Sequence, residues 1–401
     1  MHPVVVTGLG PVSSVGIGRP EFKQSLLAGR SGIGPIESFD TRGFPYVNGG
    51  EVTGFEPQAL LERIEPAHWG RSALFAAAGA RLAVRDGGLD LDRVDAGRAA
   101  AVIGTTSGES QVVERITAQL VAGGFPAADA ALFGQAPAGR LAHAVSAELG
   151  LCGESMTLAT ACSASNYALG YAHDLIATGQ ADVALAGGAD SVCRWAHAGF
   201  YRLGALTADA CAPFDRDRSG ILTGEGGAVL LLESAGHAAA RGAHVYAELL
   251  GYGVNCDARH MVAPDAPTIA ACMRMAHRHA GIKPDDVDYI CAHGTGTPAN
   301  DSVEATAVRD VFGAAPPPMS SIKSMLGHTM GAASGFGAIA SALAIADGFL
   351  PPTINWRTAD ESLEGIDPVP NQARPAAVRV VQNNGFAFGG NNAIAILGAV
   401  T

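Results

Sequence analysis

In the stretch SMTLATACSASNYALGYAHDLIATG, residues 155–179, a strand pattern gives way to a helix pattern at a single cysteine. Ser155–Thr160 suits a short strand, and the small-residue run after it has helix-forming composition and stops at Gly179. A strand, a tight turn and a helix in that order form the repeating unit of α/β folds. Outward from here the alternation continues. Val4–Thr7 is a β-branched run with Gly8 as its exit turn, and residues 71–86 show helical spacing. Ala99–Gly104 predicts a strand leading into TTSGES, Ala181–Gly187 another that turns at GGAD, and Val229–Glu233 closes the first half. Residues 29–57, rich in Pro and Gly, predict loops and short elements.

The second half echoes the first. DDVDYICAHGTGT (285–297) repeats the plan of DRVDAGRAAAVIGTTSG (92–108): an acidic lead, an apolar strand, then a Gly/Thr loop. SGFGAIASALAIADG (334–348) likewise follows SNYALGYAHDLIATG (165–179). The echo predicts two similar α/β halves, 1–240 and 241–401, with a site between them.

Composition narrows the function. The 401 residues carry a net charge of −12, with 48% hydrophobic and 16% charged residues, enough to fill a large core and too apolar for disorder. An acidic chain is a poor partner for nucleic acid, which needs clustered Lys and Arg. The seven cysteines contain no CxxC pair, which argues against a disulfide framework and a zinc ribbon, and no metal set is visible. His277 and His279 fall on different helix faces and read as a solvated pair. No charged segment precedes the first apolar run, and GAASGFGAIASALAIADGFL from Gly331 reads as a core helix, so no membrane association and a cytoplasmic enzyme are expected.

Chemistry concentrates at a few residues. Cys162 sits at the start of the predicted helix, where free N–H groups and partial positive charge lower a thiol pKa and offer an oxyanion hole. His293 and His328 each follow a strand-like stretch and open a loop or a small-residue helix. A cysteine with histidine partners is an arrangement for acyl transfer. Lys323 is one of only three lysines among 26 basic residues, which marks a place that requires a compact ammonium. Glu304 is a candidate acidic partner for His293, and NNGFAFGGNNAIAIL from Asn383 places Phe386 and Phe388 to line a cavity.

Together these motifs resemble the condensing enzymes, specifically the β-ketoacyl-(acyl carrier protein) synthases of the thiolase-like superfamily. The matching pieces are VVVTGLG, TACSAS, PFDRDRSGILTGEGGAVLLLE (213–233), AHGTGTPANDSVE, SIKSMLGH and NNGFAFGGNNA, in family order. The resemblance implies a five-layered αβαβα fold of two duplicated halves and an acyltransferase activity. Cys162 would be the acyl-accepting nucleophile, with His293 and His328 promoting malonyl decarboxylation. The N–H groups of Cys162 and Phe388 would form the oxyanion hole, and Lys323 and Glu304 would organise the site. Thr295 and Thr297 would bind a phosphopantetheine arm, Phe388 would gate the pocket, and Phe386 and Phe200 would line it, with pocket depth set by side chains around Thr106–Ser110 and Phe200. No cofactor is implied beyond that arm, which belongs to the acyl carrier protein partner. The assembly would be a homodimer or a heterodimer with a chain-length-factor-like subunit. Ala387 departs from the usual Gly of the gating loop, and LLERIEPAHWGRSALF is poor in basic residues for docking, leaving Arg63 and Arg71. Asn300–Asp301 and the FGGNN ending lean towards polyketide ketosynthases. Two alternatives are a non-catalytic chain-length-factor-type subunit, disfavoured by the intact Cys162, and a cysteine acyltransferase that does not decarboxylate.

Overall fold

The computed structural model describes residues 1–208 and 210–400. Ten strands carry the fold. The first half supplies β1 (Val4–Ser13), β2 (Ala99–Thr105), β3 (Ser155–Ala159), β4 (Val183–Asp190) and β5 (Gly226–Ser234). The second supplies β6 (Ala247–Cys256), β7 (Tyr289–Cys291), β8 (Met319–Ser320), β9 (Val380–Phe386) and β10 (Asn391–Gly398). Their spatial order is β3-β2-β4-β5-β1, then β6-β10-β9-β7-β8. Counted within each half, the order is the same: third, second, fourth, fifth, first. Polarity repeats too, since β2 is parallel to β3 and β4, and β7 to β8 and β9. The fourth, fifth and first strands of each half pair antiparallel. The chain is a duplicated fold.

The halves join where β1 and β6 pair over only Val5–Glu248 and Val6–Ala247, so the two sheets diverge and leave room between them. Five main helices fill the layers: α1 (Arg71–Asp86), α2 (Ala164–Ala177), α3 (Ala266–Ala280), α4 (Pro298–Phe312) and α5 (Ala333–Asp347). α1 packs on β1, β4 and β5, while α3 packs on β6 and β10 with α4 beside it. α2 touches β2 and β4 of one sheet and β6 and β10 of the other, and α5 likewise bridges β9 and β5. Helix, sheet, helix, sheet, helix gives the five layers. The segment Met330–Asp347 is apolar enough to cross a bilayer, with mean hydropathy 1.3, but 83% of it is buried inside the fold. It is a core helix.

Two glycines expected to end strands do not. β1 continues past Gly8 to Ser13, with a register shift between Val6 and Gly8. Glycine is required there by packing, because a Cβ on Gly8 would lie 2.1 Å from the Ala83 carbonyl oxygen of α1, and one on Gly10 would lie 1.8 Å from that of Gly79. The GGAD segment similarly stays inside β4, where a Cβ on Gly187 would meet the Ala228 carbonyl oxygen at 1.9 Å. At Gly8 and Gly10 the missing side chain serves close helix-on-sheet contact, and at Gly187 close approach of the neighbouring strand. Gly10→Ala is expected to cost roughly 1–3 kcal/mol through overpacking, read as a lower urea midpoint at unchanged slope.

Candidate active site

The two central helices begin in the same unusual way. A one-turn segment, Ala161–Ser163, precedes α2, and another, Met330–Ala332, precedes α5. Each opens on a non-glycine residue in the left-handed region, Ala161 at φ 51° and Met330 at φ 51°. Cys162 therefore follows a strained turn that aims it out of the helix start, and Gly331 holds the matching place in the other half. Asp190, at the end of β4, lies between them. Its carboxylate accepts from Thr105 Oγ1 at 2.7 Å, Thr106 N at 2.7 Å, Ser107 N at 3.2 Å and Gly331 N at 2.7 Å. Burial pushes this carboxyl up to about 6.

Cys162, His293, His328, Phe200, Phe386 and Phe388 line one cleft of about 600 Å³, its open mouth included, with Thr295 and Thr297 also on its wall. The imidazoles of His293 and His328 stand edge to face, 5.7 Å between centroids at 81°. Phe200 lies 6.4 Å from His328 and 5.9 Å from Phe388, and Phe386 lies 5.5 Å from His293. Ala387 sits in extended backbone at φ −134°, a conformation any residue adopts, so it needs no glycine. The following Gly389 N–H donates to Met261 O at 2.7 Å, which ties the aromatic loop to residues 257–264.

The protonation states follow from burial. Met330 N–H donates to His328 Nδ1 at 3.0 Å, so the neutral ring carries its proton on Nε2. Burial, with the nearby Lys323 charge, depresses His328 to about 3. Burial, Lys323 and His328 in turn hold His293 well below the usual range, and its Nδ1 has no partner. Both rings are neutral. The thiol of Cys162 differs from expectation. Burial pushes it up to about 12, opposed by Lys323 and by the N–H groups of Phe388 and of Cys162 itself. The helix start supplies donors, but loss of water dominates.

Lys323 and Glu304 act on the backbone of His293. Lys323 Nζ donates to His293 O at 2.5 Å, while Glu304 accepts from His293 N and Gly294 N, each at 2.8 Å. The sequence makes Glu304 a candidate acidic partner of His293, and the contact runs through the main chain, since its side chain reaches the strand end from α4. Burial lowers Lys323 and raises Glu304. The next residues are shaped by Asp301, which accepts from Phe214 N at 2.9 Å, Thr295 N at 3.1 Å and Gly296 N at 3.2 Å. The hydroxyls of Thr295 and Thr297 face each other at 2.9 Å. Asn384 Nδ2 in turn donates to Glu304 Oε1 at 2.9 Å; local sequence pattern marks none of Asp190, Asp301 and Asn384 for these contacts.

Other expectations change. Thr106–Ser110 do not line the cleft, because Asp190 draws their N–H groups inward. His277 is buried, its Nε2 2.7 Å from Gln382 Oε1, so it is no solvated partner of His279. His279 instead meets His173 and Asp174, the one cluster of potential metal ligands among the described residues, and none of the three lines the cleft. Arg71 is paired with the buried Glu225 at 2.5 Å, which leaves Arg63 as the exposed member of the expected docking pair.

Comparisons with known proteins agree with this geometry. The family described as "Beta-ketoacyl synthase, N-terminal domain" matches residues 1–238, and "Beta-ketoacyl synthase, C-terminal domain" matches 246–357. The chain is 37% identical to 3-oxoacyl-[acyl-carrier-protein] synthase 2 of Coxiella burnetii, covering 99% of this chain and 98% of that protein. It is 38% identical to nodulation protein E of Rhizobium sp., covering 98% of each. Among solved structures, the ishigamide ketosynthase/chain length factor superposes with TM-score 0.98 at 49% identity over all of both chains. A type II polyketide ketosynthase solved with its acyl-carrier protein gives 0.92 at 31%, again over all of both chains. A duplicated five-layer fold whose halves meet at a buried cysteine and two neutral histidines, matched along its length by both family domains, places this chain in the β-ketoacyl synthase family.

Proposed function

We propose that this chain is the condensing subunit of a type II polyketide system, joining an acyl group held on Cys162 to a malonyl unit on an acyl carrier protein. The carrying observation is a buried cysteine sharing one cleft with two neutral imidazoles. In the first half-reaction, Cys162 Sγ attacks the carbonyl carbon of the incoming thioester. Its proton is lost to solvent at the open mouth and the departing pantetheine thiolate takes one up, so neither imidazole is called on in this half-reaction. The Cys162 and Phe388 N–H groups hold the tetrahedral oxyanion.

In the second half-reaction, the malonyl thioester carbonyl accepts N–H groups from His293 and His328. The bond to the carboxylate breaks, carbon dioxide leaves, and the electron pair remains as an enolate held by those two donors. The enolate carbon attacks the acyl-Cys162 carbonyl, the Cys162 thiolate leaves, and it regains a proton from solvent. Lys323 favours the neutral imidazoles that this step needs, and its own charge is balanced by Glu304. Thr295 and Thr297 bind the pantetheine arm at the mouth, and Phe388 controls passage.

The 49% identity to a ketosynthase/chain length factor, against 37–38% for the two curated relatives named above, supports polyketide over fatty-acid assembly. A second subunit of the same fold is supported by β3, which among the described residues pairs only with β2 and leaves its other edge open. Sedimentation at micromolar concentration is expected to give a two-subunit particle, as two copies or with a chain-length-factor-like protein. A monomer in both cases would overturn the edge pairing.

Incubation with an acyl carrier protein thioester is expected to add the acyl mass to the wild-type chain and nothing to Cys162→Ala. His328→Ala is expected to keep that adduct while malonyl decarboxylation falls roughly 100-fold or more, the usual loss of an oxyanion donor. The thiol at about 12 makes a further prediction. Below that value the thiolate fraction rises tenfold per pH unit, so iodoacetamide labelling of Cys162, followed by peptide mass spectrometry, should climb from pH 7 to 10 without levelling. A plateau below pH 9 would show that the helix start prevails over burial.

A further inference from the structure

Glu304 is the end of a hydrogen-bond chain that runs away from the cleft. Asn384 Nδ2 donates to Glu304 Oε1 at 2.9 Å, Gln382 Nε2 donates to Asn384 Oδ1 at 2.8 Å, and His277 Nε2 stands 2.7 Å from Gln382 Oε1. Every member is buried, at 0% exposure for Glu304 and Gln382, 2% for Asn384 and 3% for His277. Gln382 and Asn384 are two apart on β9 and so share one face of the strand, with His277 arriving from α3 and Glu304 from α4. Phe312 holds the His277 ring edge to face at 5.5 Å.

Elementary chemistry fixes the direction of the chain. An ionised carboxylate only accepts, so Asn384 must turn its NH2 to Glu304 and keep its carbonyl for Gln382. Gln382 then gives its own NH2 to that carbonyl and is left with Oε1, which needs a donor. The donor is His277 Nε2–H, which makes Nδ1 the bare nitrogen, and Nδ1 has no partner. All three donations point the same way, towards a buried negative charge, and such aligned bonds polarise and strengthen one another. Without the His277 proton, Gln382 Oε1 is left as a buried acceptor with no donor, and an amide that swings to relieve it sets that oxygen against Asn384 Oδ1.

We propose that His277 is a positioning residue for decarboxylation, orienting the Gln382–Asn384 amides so that their last N–H steadies the Glu304 carboxylate against the His293–Gly294 backbone. The proposal rests on the roles assigned to His293 and Glu304 above. Its reach is selective. Cys162 lies in the other half of the duplication and is acylated without the chain, whereas the malonyl carbonyl depends on where His293 points.

The two half-reactions separate the effect from general damage. His277→Phe keeps the ring shape and removes the donor, and His277→Gln restores an N–H at the reach of Nε2. We expect His277→Phe to slow malonyl decarboxylation about tenfold, the loss for one hydrogen bond to a charged network, with Cys162 acylation by acyl carrier protein within twofold of wild type. His277→Gln should recover most of the decarboxylation rate. Unchanged decarboxylation in His277→Phe overturns the proposal. So does an equal fall in both half-reactions that His277→Gln fails to rescue, which would make the residue merely structural. A wild-type chain that is acylated but never decarboxylates malonyl carrier would fail the preceding reaction assignment, and His277 would lose its role with it.

Discussion

Asp190 gathers four donors in a space that water does not reach, three from the β2 exit loop and one from the turn before α5. That carboxylate stitches the halves together beside Cys162. Around it the two central helices contact each other through side chains no larger than their hydrogen bonds require. Ser165 Oγ donates to Gly331 O at 2.5 Å, Asn166 N–H to Ser334 Oγ at 3.1 Å, and Asn383 Nδ2 to Asn166 Oδ1 at 2.8 Å. A buried polar network is costly if incomplete and rigid if complete. Here it sets Cys162 from one half against His293 and His328 from the other.

The electrostatics of the cleft follow from the same exclusion of water. One cation, Lys323, and one anion, Glu304, grip opposite ends of the His293 peptide, so the charges are fixed to the backbone and leave both imidazoles free. An arginine would present a planar fork where a single carbonyl oxygen has to be met, which accounts for a lysine in a chain that otherwise uses arginine almost throughout. The buried ammonium also disfavours a second positive charge nearby. Hydrogen-bond donation by uncharged rings is the result.

Much of this was legible in the sequence, and the exceptions share a cause. Strand–turn–helix order, the internal echo and the reactive residues all lie in local patterns, and the echo reappears as identical strand order in each half. What local pattern does not carry is whether a glycine serves a turn or a close contact. Gly8 and Gly187 were read as turns, yet each lies flat against a carbonyl oxygen from a distant segment. Glu304 reads as an acidic partner of His293, but residue spacing shows proximity and not that the main-chain N–H groups are what it meets. His277 and His279, two apart on different helix faces, read as a solvated pair, but that spacing does not tell which of the two faces turns inward. The overlooked clue was QNN at 382–384: three amide side chains in a row inside an otherwise apolar strand can be stable only in a hydrogen-bonded network.

The twin turns at Ala161 and Met330 have an evolutionary edge. A duplication begins with two equal copies of every feature, including the position that here holds a cysteine. In the second copy that position is Gly331, and a Cβ there would lie 2.6 Å from both Asp190 Oδ2 and Thr105. Any side chain would have to dismantle the carboxylate stitch before it could enter. The two equivalent positions are therefore not interchangeable: one admits a side chain, and the other is closed by the very carboxylate that joins the halves.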